Sequence, residues 1–314
     1  MRAEIRGRIG PALAVAAAFA GSTAARAAGQ QGPEYFPNHP LTTQDGKVIH
    51  FYDDMLKGKA VVVNLIYTHC TASCPLETAR LAQVQRLLGD RVGKDIFFYS
   101  ITLDPDRDSP EVLKAYAAKF HTGPGWTFLT GKKEHIQEIG KKLGLTSLTD
   151  AANRDGHQPM MMIGKDADGR WMLNSAVDNP RFLAYTITHF FDGFGSAKPK
   201  SYAEMPVHNV NKGEYLFRTK CIACHTVGKG DSVGPDLLDI TRRRDRAWLT
   251  RYITAPDVVL ASGDPIAREL FAKYNSVRMP NLELSTEEAE ALLPYIERVG
   301  QLASAGPQGT HSGH

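Results

Sequence analysis

The chain has 314 residues, 42% of them hydrophobic, with 37 basic against 34 acidic side chains. That length allows two hydrophobic cores, and so even a charge balance gives none of the cationic excess that nucleic acid binding requires. The small excess belongs to the first 27 residues: without them four arginines and one glutamate go, and 33 of each sign remain.

Those first residues, 1–27, read as a secretory signal peptide. Arg2, Arg6 and Arg8 precede an apolar run from Ala12 to Ala20, and Ala25-Arg26-Ala27 supplies a small-x-small cleavage site. The run is about half of the ~20 residues that span a bilayer, so cleavage near Ala28 is expected, with an uncleaved membrane tether as the alternative. No later segment has the composition of a membrane span, and the mature chain is expected in the periplasm.

Strands and helices then alternate. Lys47 to Tyr52 predicts a strand, and Ala60 to Tyr67 is a β-branched run whose continuous apolarity suits a central strand covered on both faces. Thr68-His69-Cys70-Thr71-Ala72-Ser73-Cys74-Pro75 follows, then helical spacing from Leu76 to Leu88. Ile96 to Thr102 predicts a strand, and Pro110 to Phe120 a helix whose start is marked by Asp108 and Glu111. A strand over Trp126 to Leu129, a helix over Lys132 to Leu143, paired strands over Met160 to Ile163 and Trp171 to Asn174 around an Asp-Gly turn, and a helix from Pro180 complete the alternation. This order predicts an α/β thioredoxin-like sheet.

Both early thiols therefore fall on a strand-to-helix turn. Four residues apart on a helix, Cys70 and Cys74 face the same side, so the pair can close a disulfide, act as a redox pair or grip a soft cation. A helix amino terminus lowers thiol pKa and favours the thiolate. An inert bridge or two buried thiols is the plain structural alternative. Residues 33–195 resemble the SCO/SenC family of copper chaperones and thiol-disulfide proteins. The resemblance rests on Cys70 to Pro75, on Asp104-Pro105-Asp106-Arg107-Asp108-Ser109-Pro110, and on His157 ahead of Met160 to Ile163 and Asp168-Gly169. Between the cysteines stand Thr71 and Ala72 where the family commonly has Pro-Asp. The resemblance implies a thioredoxin-like fold and a copper ion held by Cys70, Cys74 and His157.

Neighbouring residues are read more plainly. His69 is expected to point away from the metal position, and Met160, Met161 and Met162, alternating on a strand, are expected in the core. Asp104, Arg107 and Asp108 either order the site and dock a partner or form a solvated loop with a helix cap.

After a Pro/Lys/Ser stretch that marks a linker over 196–208, residues 209–302 predict a second, small all-α domain, with a disordered tail over 303–314. Cys221-Ile222-Ala223-Cys224-His225 is the C-x-x-C-H pattern of a c-type haem: Cys221 and Cys224 give thioethers, and His225 an imidazole for the iron. A zinc knuckle would want two more ligands nearby, and none follow at that spacing. With the helix Lys212 to Thr219, the segment Gly234-Pro235-Asp236-Leu237, Met279-Pro280-Asn281-Leu282 and a closing helix capped by Ser285 and Glu288, this part resembles class I cytochrome c. That resemblance implies one covalent haem c with His225 and Met279 as axial ligands, and a Pro235 carbonyl orienting His225. Gly213 and Phe217 are expected to pack against Tyr295, Met205 is read as a linker residue, and Arg242 to Arg246 as a solvated basic run or a docking face for an acidic redox partner.

Together these readings predict an exported copper-binding redox protein that exchanges single electrons through its own haem c. The family resemblance implies support of copper-centre assembly in a respiratory oxidase, with the copper-site subunit of cytochrome c oxidase or another periplasmic redox protein as partner. Electron transfer and copper delivery are expected ahead of enzymatic turnover. The alternatives are a thiol-disulfide oxidoreductase using Cys70 and Cys74, and a plain haem electron carrier with a docking domain.

Overall fold

The computed structural model describes residues 32, 34–70, 73–146, 159–193 and 210–304. Seven strands form one sheet: β1 (Pro40–Thr43), β2 (Val48–His50), β3 (Ala60–Ile66), β4 (Ile96–Thr102), β5 (Trp126–Gly131), β6 (Met160–Lys165) and β7 (Arg170–Ser175). Their order is β2-β1-β5-β4-β3-β6-β7. β3, β4 and β5 run parallel, and the other pairs are antiparallel.

The parallel strands are apolar on both faces because both faces are covered. Val62 and Ile66 pack with residues of α1 (Cys74–Leu88), α2 (Pro110–Lys119) and α4 (Pro180–Asp192), whereas Val61, Val63 and Leu65 pack with α3 (Lys133–Lys142). The strand period divides the methionines as expected: Met161 joins the first core, and Met160 and Met162 the second.

Three local expectations are corrected. The strand foreseen over Lys47 to Tyr52 stops at His50, because a wide π-type turn, Phe51–Leu56, rolls four apolar side chains into the core. Asp108 does not cap α2; Ser109 does, its hydroxyl accepting from the Val112 N–H at 3.4 Å. Asp108 is fully buried, and Asp104 nearly so, which overturns the solvated-loop reading for both carboxylates, whereas Arg107 is exposed as that reading expects.

The second part is helical: α5 (Lys212–Leu216), α6 (Ile240–Arg243), α7 (Arg246–Thr254), α8 (Pro256–Ala261), α9 (Pro265–Lys273) and α10 (Thr286–Ser304). The opening helix is α-helical only to Leu216 and widens into a π-type turn, Phe217–Cys221, that ends on the first cysteine of C-x-x-C-H. α5 crosses α10 closely at Gly213, where a Cβ would lie 2.1 Å from the Ala291 carbonyl oxygen. Beside it the Phe217 and Tyr295 rings stand 5.4 Å apart. Ser285 and Glu288 exchange reciprocal backbone-to-side-chain bonds at the start of α10, as the capping box requires. That helix runs on to Ser304, so the tail expected from 303 begins inside it. The leader, the linker over 196–208, His157 and Met205 lie outside the described residues. Among the described residues no helix is long and apolar enough to cross a membrane.

The two parts touch along α1. Ala223 and Val233 of the helical part enter the same apolar core as α1 and α4, and two side chains of α1 reach across. Arg80 donates through Nη2 to the Thr219 carbonyl at 2.8 Å, and Gln83 through Nε2 to the Ile222 carbonyl at 2.8 Å.

Candidate functional site

The chain leaves β3, turns at Cys70 and enters α1 at Cys74, so both thiols sit where the central strand meets its helix. Cys70 is 3% exposed and Cys74 fully buried; their side chains share a hydrogen bond. Burial, followed by the hydrogen bond and charge of Cys70, pushes the Cys74 thiol well above its ordinary value. The expected pull of the helix amino terminus toward thiolate is thus outweighed at Cys74: desolvation inside a closed core exceeds a helix-end interaction of about 0.3–1 kcal/mol.

Asp108 holds the turn from below, accepting from the backbone N–H of Thr68 at 3.1 Å and from the hydroxyls of Thr68 and Thr102. Asp104, also buried, faces His69 Nε2 at 3.4 Å and Arg107 Nε at 3.9 Å. His69 thereby turns to a carboxylate and lies edge-on to the Tyr67 ring, 5.0 Å away. Tyr116 closes the other side: its hydroxyl donates to the Cys74 carbonyl at 3.4 Å and is 2.9 Å from Thr78 Oγ1.

Beneath the thiols lies a polar group that sequence reasoning missed. Glu77, one turn after Cys74, is fully buried; Asn64 Nδ2 donates to its Oε1 at 2.7 Å, and among the described residues Oε2 has no partner. Burial lifts this carboxyl to about 8, against the pull of the Asn64 hydrogen bond and with a further push from Cys70. Asn64 accepts from Ser100 Oγ at 2.6 Å, and Ser100 from Trp126 Nε1 at 2.8 Å, so the carboxyl ends a hydrogen-bonded chain through the sheet. Its one signal was an Asn inside the run Val61-Val62-Val63-Asn64-Leu65-Ile66 and a Glu three residues after Cys74 on the helix.

In the helical part, Cys221, Cys224, His225 and Met279 all line one cavity of about 900 Å³, open mouth included, whose walls are otherwise almost wholly apolar. Both thiols are free of any disulfide, and burial pushes each to about 12. Burial lowers the His225 pKa, which favours the neutral, metal-binding imidazole. His225 Nδ1 is 2.9 Å from the Pro235 carbonyl, as expected, leaving Nε2 for a ligand. Gly234 is required there, because a Cβ would come 2.7 Å from the imidazole Cε1. Asp236 braces this loop: although burial raises its pKa, backbone N–H groups of Gly228, Leu238 and Gly230 and the Thr226 hydroxyl hold it at about 2. Apolar lining, two thiols free of any disulfide, and an oriented imidazole with a thioether on the same cavity wall fit a covalently held haem.

The two sites meet. Leu76, two residues after Cys74, lines the large cavity, and Ser276, Val277 and Arg278, just before Met279, line a small cleft with Thr68, His69 and Cys70. His157 lies outside the described residues, and among those described no cluster of three or more His, Cys, Asp or Glu could hold a metal ion. The structure therefore brings together the two thiols of the expected copper set and all four residues of the expected haem set.

Residues 27–181 match the SCO1/SenC family and residues 210–300 match cytochrome c. The SCO1 protein homolog of Bacillus subtilis is 33% identical over 120 residues, which span 36% of this chain and 61% of that protein. Among solved structures, copper-bound ScoI of Bradyrhizobium japonicum is 24% identical with a TM-score of 0.39, covering 49% of this chain and 99% of that one. BsSco, solved for its disulfide switch and belonging to the Sco family of cytochrome c oxidase assembly proteins, is 26% identical with a TM-score of 0.41, covering 49% and 92%.

Proposed function

From a chain that matches the SCO1/SenC family over residues 27–181 and cytochrome c over residues 210–300, we propose an exported, periplasmic copper-binding redox protein that carries its own electron relay. Copper is its cargo, taken by Cys70, Cys74 and His157; Cys221 and Cys224 hold one covalent haem c, with His225 and Met279 as axial ligands. The client that fits the family is the copper-site subunit of cytochrome c oxidase or another periplasmic redox protein. Two soft thiolates with one imidazole suit Cu(I), and closing the set displaces thiol protons. Haem supplies a one-electron couple matched to Cu(II)/Cu(I), whereas a disulfide moves two electrons.

One observation carries this reading: the first turn of α1 belongs to both sites, with Cys74 on the dithiol and Leu76 on the wall of the haem cavity. Anaerobic Cu(I) titration of the reduced, haem-loaded chain tests it. One Cu(I) per chain is expected, with affinity lowered at least tenfold in Cys70→Ser, Cys74→Ser and His157→Ala; a wild-type chain that binds none removes the copper reading.

The hydrogen-bonded thiols favour a second reading, a thiol-disulfide oxidoreductase. His157→Ala separates the two, since it lowers copper affinity and leaves thiol-disulfide exchange with a dithiol nearly unchanged.

A further inference from the structure

Among the described residues Arg80 is the largest fully buried side chain, and none of their carboxylates is hydrogen-bonded to it. Nη1 donates to Gln83 Oε1 at 2.9 Å and Nη2 to the Thr219 carbonyl at 2.8 Å; among the described residues Nε has no partner. The nearest acid felt by its charge is Asp178, which is exposed. A guanidinium stays protonated even when buried, so α1 presses an almost uncompensated cation into the joint between the two parts. One turn before Arg80 on the same helix, Leu76 lines the cavity that also holds Cys221 and Cys224. Thr219, which Arg80 grips, lies two residues before Cys221 on the π-type turn.

Burying an ion without a counter-ion is unfavourable, and packing alone would be served by Met or Leu at position 80. A fixed cation beside a redox centre disfavours the centre's more positive, oxidised state. We propose that Arg80, supplied by the dithiol domain, is an electrostatic tuning residue that raises the reduction potential of the haem, so that the haem's affinity for an electron depends on the contact between the two domains. This rests on the reading that Cys221 and Cys224 carry a haem. The guanidinium touches no reacting atom; it acts through its charge at the thioether edge. It is also one of the two α1 side chains bonded across the joint, so separating the domains would remove the cation and let the haem release its electron more readily.

Redox titration of the haem band in the full-length, haem-loaded chain tests the proposal. Arg80→Met is expected to shift the reduction equilibrium about tenfold toward the oxidised form, ~59 mV for one electron. If that variant fails to load haem, Gln83→Glu decides, because position 83 is half-buried and its carboxylate would neutralise Arg80 in place. Its potential is expected to fall in the same direction. Gln83→Ala, which removes the Ile222 contact but keeps the cation uncompensated, is expected to leave the potential unchanged. An unaltered potential in Gln83→Glu overturns the proposal, and so does an equal fall in Gln83→Ala, which would make the effect one of packing. A chain whose absorption spectrum shows no covalent haem fails the underlying reading, and that outcome is visible before any titration.

Discussion

At the scale of single residues, the chemistry of the dithiol is governed by burial. The sequence makes Cys70 and Cys74 conspicuous, and a strand-to-helix turn makes a thiolate the natural expectation. What local sequence does not carry is the depth of the site. Only the folded molecule shows that Cys74 and Glu77 are fully enclosed, and that a carboxyl with an ordinary value near 4.5 is lifted to about 8. The consequence for stability has a definite sign. The folded state holds the Glu77 proton more tightly than the unfolded state, so its contribution is fully present below about pH 4.5 and is lost as pH rises through about 8. Glu77→Gln is expected to remove that loss, so that the variant resists denaturant more than the wild type at pH 8, by on the order of several kcal/mol. Urea midpoints measured from pH 5 to 9 check it; parallel curves for the two proteins would contradict it. Arg80 was illegible for the same reason, since a basic residue on a helix is ordinarily a solvated one.

At the scale of elements, segments with a clear apolar pattern were legible, the short strands β5, β6 and β7 included, and the short helices of the second part were not. β4 was predicted at its observed bounds, β3 and α2 to within one residue, and α1 to within two, because each carries a full apolar run or helical spacing. β1 has only four residues, and α6, α7, α8 and α9 have four to nine, too few turns to show a period above the noise of loop composition. The segment over 104–110 divides two jobs that sequence merged. Ser109 starts α2, whereas Asp108 ties the end of β4 to the turn ahead of Cys70. Ser109→Ala is accordingly expected to cost about 1 kcal/mol and leave the thiols as they are. Asp108→Ala, which strands the Thr68 and Thr102 donors, is expected to cost about 2–4 kcal/mol and to speed alkylation of Cys70. Thermal denaturation and iodoacetamide kinetics on both variants check this; equal effects would contradict the division.

At the scale of the whole molecule, two domains were evident from composition and motifs, but their apposition was not. The joint is made by side chains of α1 bonding to main-chain carbonyls of Thr219 and Ile222, and by Ala223 and Val233 entering a core that belongs mostly to the sheet. Backbone acceptors leave no trace in side-chain pattern, so nothing in the residues themselves announces the contact. Yet it gives the fusion its physical sense, because the first turn of α1 carries Cys74 of the dithiol and Leu76 of the cavity lined by Cys221, Cys224, His225 and Met279. The most direct test loads the reduced dithiol site with Cu(I), oxidises the haem selectively and follows the haem band anaerobically at several protein concentrations. The account predicts haem reduction with a first-order rate that does not change with concentration, as electrons cross within one chain. A rate proportional to concentration, or no reduction at all, would contradict it.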